Sequence, residues 1–242
     1  MERRVKKLTT ILLSGMIIGF TGCGSTGELP DGEAGDDTLY QGSVVPQVQE
    51  GVGEELEFQN YLYYALDRIN KETYLYDEYS YYSLTTSLFI KSRDPQNNLV
   101  VTQTIDSKII SEDVVYNNKI TSYQYDANEI VSLTIDYPLW IQKNELVSQT
   151  TINGETTTCI FQDFEANLNL EYKLPQNIFN DLNNRDTNLN LDYSNVIHVY
   201  CGATDGSTAD IYYASEYGKV LSILKSTDKT SYEIVSKNKF YE

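Results

Sequence analysis

The only histidine of the chain, His198, stands three residues from Cys201 in the strand-like run Ile197-His198-Val199-Tyr200-Cys201, and a second cysteine, Cys159, lies upstream in Thr158-Cys159-Ile160-Phe161. A thiol beside an imidazole is the pattern of an activated nucleophile. Side chains on a strand alternate between faces, so residues three apart point in opposite directions. The spacing therefore argues against a direct His198–Cys201 pair. Cys159 reaches His198 only if folding brings the two together. A Ser-His-Asp site has no other base to use. His198 is read as a strand histidine with a satisfied hydrogen bond, no residue is assigned a catalytic role, and the chain is read as non-enzymatic.

Other chemistry finds little support. Asp186-x-Asn188-x-Asn190 opens like a calcium loop, but the sixth position is Leu191 instead of glycine and the twelfth is Ile197 instead of glutamate. Cys and His do not cluster as zinc requires. Phosphate-loop, dinucleotide and G-x-S-x-G motifs are missing from the sequence. No metal and no cofactor is expected. Carboxylates are numerous enough to place a pair suited to glycoside hydrolysis anywhere by chance. Tyrosine is the compositional oddity, with 21 in the chain. Eight fall between Tyr61 and Tyr82: Tyr61, Tyr63, Tyr64, Tyr74, Tyr76, Tyr79, Tyr81 and Tyr82. Tyrosine suits binding surfaces because it joins apolar area to a polar tip, and it is equally a good strand residue.

The elements that position these residues follow from periodicity. Phe58, Leu62, Ala65 and Ile69 form one apolar stripe at helical spacing, which predicts an amphipathic helix over Glu54–Lys71. Beyond it, apolar and polar residues alternate. Leu84, Leu88 and Ile90 share one face, as do Val131, Leu133, Ile135 and Tyr137, opposite Ser132, Thr134 and Asp136. One buried and one wet face marks an antiparallel sheet. Turn signals at Asn97-Asn98, Asn117-Asn118, Asn153-Gly154 and Asp205-Gly206 divide the run into roughly nine strands. A short helix interrupts them, with Pro175 near its first turn and Ile178, Phe179 and Leu182 on its apolar side. The expected fold is α+β: an N-terminal amphipathic helix packed on a long, curved antiparallel β-meander, half-barrel-like, with one short additional helix. The helix stripe should lie on the face of Val131, Leu133 and Ile135. These residues, with Phe58, Leu62 and Ile69, are the candidate ligand or core face.

The N-terminus has its own logic. Arg3, Arg4, Lys6 and Lys7 precede an apolar run from Leu8 to Phe20 and the small residues Thr21-Gly22. That order is a secretory signal. As a helix the run reaches about 20 Å, short of a hydrocarbon core of about 30 Å, so a permanent span is not expected. Cys23 directly after the small pair resembles the lipobox of bacterial lipoproteins. The resemblance implies cleavage before Cys23, a diacylglycerol on its sulfur, and a protein tethered to the extracytoplasmic face of the cell membrane. Two acyl chains give the stable anchor that one does not.

The first 22 residues hold four of the 18 basic and one of the 35 acidic residues, so the chain after them carries 14 against 34. Nucleic acid needs cationic patches, which this surface lacks. Anionic headgroups would repel it as well, leaving anchorage to the lipid. Cations, basic peptides or neutral sugars are the better partners by charge. Residues 23–53 read as the lipidated cysteine and an acidic, glycine-rich disordered linker without Lys or Arg. Residues 54–242 read as one domain of ordinary size. With Cys23 lipidated, Cys159 and Cys201 are left as either a disulfide in an oxidising compartment or two separate buried thiols.

The order of helix, long meander, short helix and closing strands resembles the half-barrel fold of the LolA and LppX families over residues 54–242. Members of those families hold lipids or lipoproteins in an apolar concavity under a helical lid. The resemblance rests on element order, so no functional residue is transferred. It implies a non-enzymatic lipoprotein holding an apolar or lipid-like ligand in a concave sheet. The alternative is a tyrosine-rich envelope module that binds a protein or glycan.

Overall fold

The computed structural model describes residues 53–186 and 189–235. The signal, Cys23 and most of the expected linker lie outside them.

The chain begins with strand β1 (Leu56–Glu57) and a single helical turn, α1 (Gln59–Leu62). A meander follows: β2 (Arg68–Asp77), β3 (Tyr81–Arg93), β4 (Leu99–Ile105), β5 (Lys108–Val115), β6 (Lys119–Tyr125) and β7 (Val131–Pro138). The short β8 (Trp140–Ile141) leads to β9 (Leu146–Ile152) and the long β10 (Glu155–Asn169). Helices α2 (Leu170–Lys173) and α3 (Gln176–Arg185) come next. A second meander finishes the fold: β11 (Asp192–Ala203), β12 (Thr208–Ala214), β13 (Gly218–Lys225) and β14 (Thr230–Val235).

Twelve strands form one antiparallel sheet in the order β7-β6-β5-β4-β3-β2-β14-β13-β12-β11-β10-β9. Its edge strands, β7 and β9, come within 8 Å of each other between α-carbons without sharing a ladder, so the sheet is a nearly closed barrel. The seam is crossed by chain: β8 connects the two edges and pairs with β1, matching Leu56 to Ile141 and Glu57 to Trp140. This treatment of the edges limits the unpaired backbone that an open sheet would present.

The α+β expectation is therefore corrected. The fold is mostly β, and among the described residues the expected helix over Glu54–Lys71 does not form. Within Glu54–Lys71 only Gln59–Leu62 is helical, and from Arg68 the chain is already strand β2. The helical stripe was a coincidence of spacing. Phe58 is wholly buried and Ile69 nearly so, while Ala65 is exposed. From Ile69 onward the alternation Ile69, Lys71, Thr73 buries every second residue, which is a strand's period. Between Tyr79 and Tyr241 the described residues hold twelve strands, from β3 to β14, where roughly nine were expected. Some turns carry no glycine: Asp106 and Ser107 both take positive φ, 50° and 65°, in the two-residue link from β4 to β5.

Two apolar clusters hold the fold together. One fills part of the barrel interior with Phe58, Ile120, Ile135, Phe161, Val199 and Ile211 among others. Phe58 meets Tyr137 and Tyr213 edge-on, at 6.3 and 6.0 Å between ring centres. The Phe58 N–H donates to the Leu139 carbonyl at 2.7 Å, and the Glu216 N–H donates to the Asn60 carbonyl at 2.7 Å. The segment around α1 thus plugs one end of the barrel. The other cluster lies outside, where Ile178, Phe179 and Leu182 of α3 pack with Tyr74, Tyr76, Val196, Leu221 and Ile234. The Tyr76 hydroxyl donates to Asp181 at 3.0 Å, and the Arg185 guanidinium sits 3.9 Å over the Tyr81 ring.

Candidate functional site

The interior is not uniformly apolar. Inward positions on neighbouring strands place Lys71 and Thr73 (β2), Ser87 and Phe89 (β3), Gln103 (β4), Asp113 (β5), Ser122 (β6), Lys219 (β13) and Glu233 (β14) around one cavity of about 90 Å³. Phe58, Tyr137 and Tyr213 close it on one side. A volume of that size holds a few waters or a molecule of a few heavy atoms.

Most of the polar groups satisfy one another. Gln103 donates to Ser87 at 3.0 Å and accepts from Ser111 at 3.3 Å. Gln124 donates to Ser122 at 2.9 Å. Lys219 and Glu233 form an ion pair at 2.8 Å. The buried Lys71 ammonium donates to the carbonyls of Tyr217 and Lys219 and lies 4.0 Å from the centre of the Tyr64 ring. Burial, with a smaller push from Lys219, holds the Lys71 pKa well below its usual value.

Three groups are left over: the hydroxyls of Tyr63 and Tyr137 and Oδ1 of Asp113 are buried without a hydrogen-bond partner. Burial raises the Asp113 pKa to about 6, with Glu112 adding to the rise and a hydrogen bond from Ser122 opposing it. Burial, and then the Asp113 charge, push the Tyr63 phenol well above its ordinary range. Tyr137 is shifted the same way, first by burial and then by Tyr213 and Asp113. The phenols are neutral donors at any physiological pH. Among the described residues, Asp113 is the carboxyl of the lining without an ion-pair partner, since Glu233 is paired with Lys219.

The candidate ligand face is only partly assembled. Phe58 and Ile135 belong to the interior cluster, with Leu62 and Leu133 packed against it. Ile69 is buried, but Val131 is exposed beside a register shift between β6 and β7. An apolar pocket lined by Leu, Ile, Val and Tyr was the expectation, and the observed lining carries two lysines and two carboxylic acids, Lys71, Lys219, Asp113 and Glu233. A wider surface cleft of about 350 Å³ lies at the rim, over Gln59, Arg93, Tyr116 and Leu139.

Cys159 and Cys201 are opposite residues of β10 and β11, joined by a disulfide with α-carbons 4.0 Å apart. Their sulfurs point inward with the buried Val199. His198 faces outward, where Nε2 lies 2.8 Å from Asp210 and the ring stacks on Tyr212 at 4.7 Å. No thiolate is available to it. Among the described residues no group of three potential metal ligands occurs. Of the eight clustered tyrosines, Tyr61, Tyr63, Tyr64, Tyr74 and Tyr76 are buried, whereas Tyr79 and Tyr82 are exposed.

Sequence reasoning missed Lys71, Asp113, Lys219 and Glu233. The signal was present in Ile69-x-Lys71-x-Thr73 and Ser111-x-Asp113-x-Val115, where polar and apolar residues share one face.

No protein-family model matches the chain, and no curated protein matches it. Among solved structures it is similar to a crystal structure from Parabacteroides distasonis ATCC 8503, provisionally named a lipoprotein. The identity is 7% and the TM-score 0.35, over 74% of this chain and 98% of that one. At that score the likeness carries no argument. Among the described residues no helix is long and apolar enough to cross a membrane.

Proposed function

We propose that the chain is a lipid-anchored, extracytoplasmic, non-enzymatic protein whose barrel holds a small polar ligand. In this reading residues 1–22 are removed, Cys23 is acylated, residues 23–53 tether, and residues 54–242 form the binding domain. The Cys159–Cys201 disulfide supports export, since such bonds persist in oxidising compartments. The observation that carries ligand binding is the cavity itself, with Asp113 and Tyr137 in its wall and without hydrogen-bond partners for Oδ1 and the hydroxyl. Buried polar groups ordinarily find partners. A lipid tail would leave them bare and suits this lining poorly, so a polar ligand replaces the apolar one expected from the sequence.

Two experiments test the two halves. Cys23→Ala should move the protein from the membrane to the soluble fraction, and retention in washed membranes would refute the anchor. Native mass spectrometry of protein purified without denaturant should show a small bound mass that is lost on unfolding. A protein that carries none, and whose melting temperature no small polar molecule raises, has no interior ligand.

A further inference from the structure

Within that binding role, on which this inference rests, we infer that the cavity takes a small organic cation, a primary amine of a few heavy atoms, with its ammonium on Asp113. The charges of the wall are unequal in availability. Lys219 is matched by Glu233 at 2.8 Å. Lys71 has its ammonium on two backbone carbonyls and the Tyr64 ring. Asp113 has a hydroxyl from Ser122 and nothing for Oδ1. A buried carboxylate without a cation is costly, and a positive ligand removes that cost.

The rest of the lining fits the same chemistry. Phe58, Tyr64, Phe89, Tyr137 and Tyr213 present aromatic rings to the cavity. Ring faces attract ammonium groups within about 6 Å. The Tyr137 hydroxyl, in the wall and without a partner, can accept a hydrogen bond from an N–H. An inorganic or organic anion would meet Asp113 and Glu233 and find both lysines already engaged. At about 90 Å³ the cavity admits an amine the size of ethanolamine or butylamine and excludes a lipid. The acidic chain, with formal net charge −17, raises the local concentration of cations. With only four or five heavy atoms to make contacts, such a ligand is limited to micromolar affinity or weaker.

The test uses the purified protein at pH 7.5 with ethanolamine, butylamine, its neutral isostere 1-butanol, glycerol and acetate, read by melting temperature and by calorimetric titration. Ethanolamine or butylamine at about 10 mM should raise the melting temperature, while butanol and acetate should not. Asp113→Asn should retain the fold and lose at least tenfold in amine affinity. An equal response to butylamine and butanol, or an undiminished amine response in Asp113→Asn, overturns the inference. Binding of glycerol in preference to either amine also overturns it, yet leaves a polar-ligand site standing. No response to either amine overturns this inference, and the interior ligand on which it rests falls with it if native mass spectrometry also shows no bound mass.

Discussion

Asp113 and Ser122 are register partners on β5 and β6, and the Ser122 hydroxyl supplies the hydrogen bond that the buried carboxyl receives. The bond does not offset burial, so the pKa is raised to about 6. The folded state therefore binds a proton more tightly than the unfolded chain does. The stability this confers is fully present below the ordinary carboxylate pKa near 4 and is lost as pH rises through 6. Asp113→Asn should flatten that part of the profile and make the protein more stable than wild type at pH 7.5, by up to about 3 kcal/mol. Denaturant midpoints of both proteins between pH 4 and 8 check this. Carboxylates with lowered pKa values, such as Asp94 and Asp136, act below pH 4 and do not obscure the window. A wild-type curve that rises between pH 4 and 6 relative to the variant contradicts the assignment.

The disulfide spans 42 residues of sequence, including α2 and α3. Constraining a loop of that length in the unfolded chain contributes about 2–4 kcal/mol. Reduction, or a double Cys159→Ala/Cys201→Ala substitution, should lower the guanidinium midpoint accordingly. Thiol titration of native, unreduced protein lacking residues 1–23 should find no free thiol.

Phe58 closes the plugged end of the barrel against Tyr137 and Tyr213. Phe58→Ala should cost about 3–5 kcal/mol by urea denaturation, typical of an aromatic removed from a core. It should also quicken hydrogen exchange at Leu62 and Tyr63, whose amides bond back to Phe58 and Gln59.

Gly218 has φ +72°, and a Cβ there would stand 3.0 Å from the Tyr64 ring and 3.1 Å from the Leu62 carbonyl. Conformation and crowding act together at this site. Gly218→Ala should destabilise by about 1–3 kcal/mol, whereas Gly206→Ala, strained but with open space around it, should cost less. Thermal melts of the two variants distinguish these outcomes.

Much of the strand content was legible, because alternation survives in runs such as Val131–Pro138 and because Asn153-Gly154 takes the positive φ values its type predicts. The turn at Asp106-Ser107 was not, since neither residue advertises a left-handed conformation as glycine does. The segment around Phe58 misled because four apolar residues matched helical spacing while the tyrosines among them answered to the barrel interior. The site was hidden by a deeper ambiguity. A period of two says that the faces of a strand differ, but does not say which one looks inward. Ser87, Gln103, Ser111 and Ser122 are polar, as residues of an outer face are, yet in the barrel they are buried or line the cavity. Only closure of the sheet, a long-range event, assigns them.

The pairing of β14 with β2 joins Ser231–Val235 to Thr73–Asp77, near opposite ends of the described chain. Nearly every other ladder links neighbours in sequence. The two meanders can each assemble locally, but they cannot meet until Thr230–Val235 has been made. Closing a loop of such length is slow compared with zipping a hairpin. During that interval β2 and its buried Lys71 stand at a bare edge, and the cavity does not yet exist. Completion of the barrel thus waits on the arrival of β14 at the β2 edge.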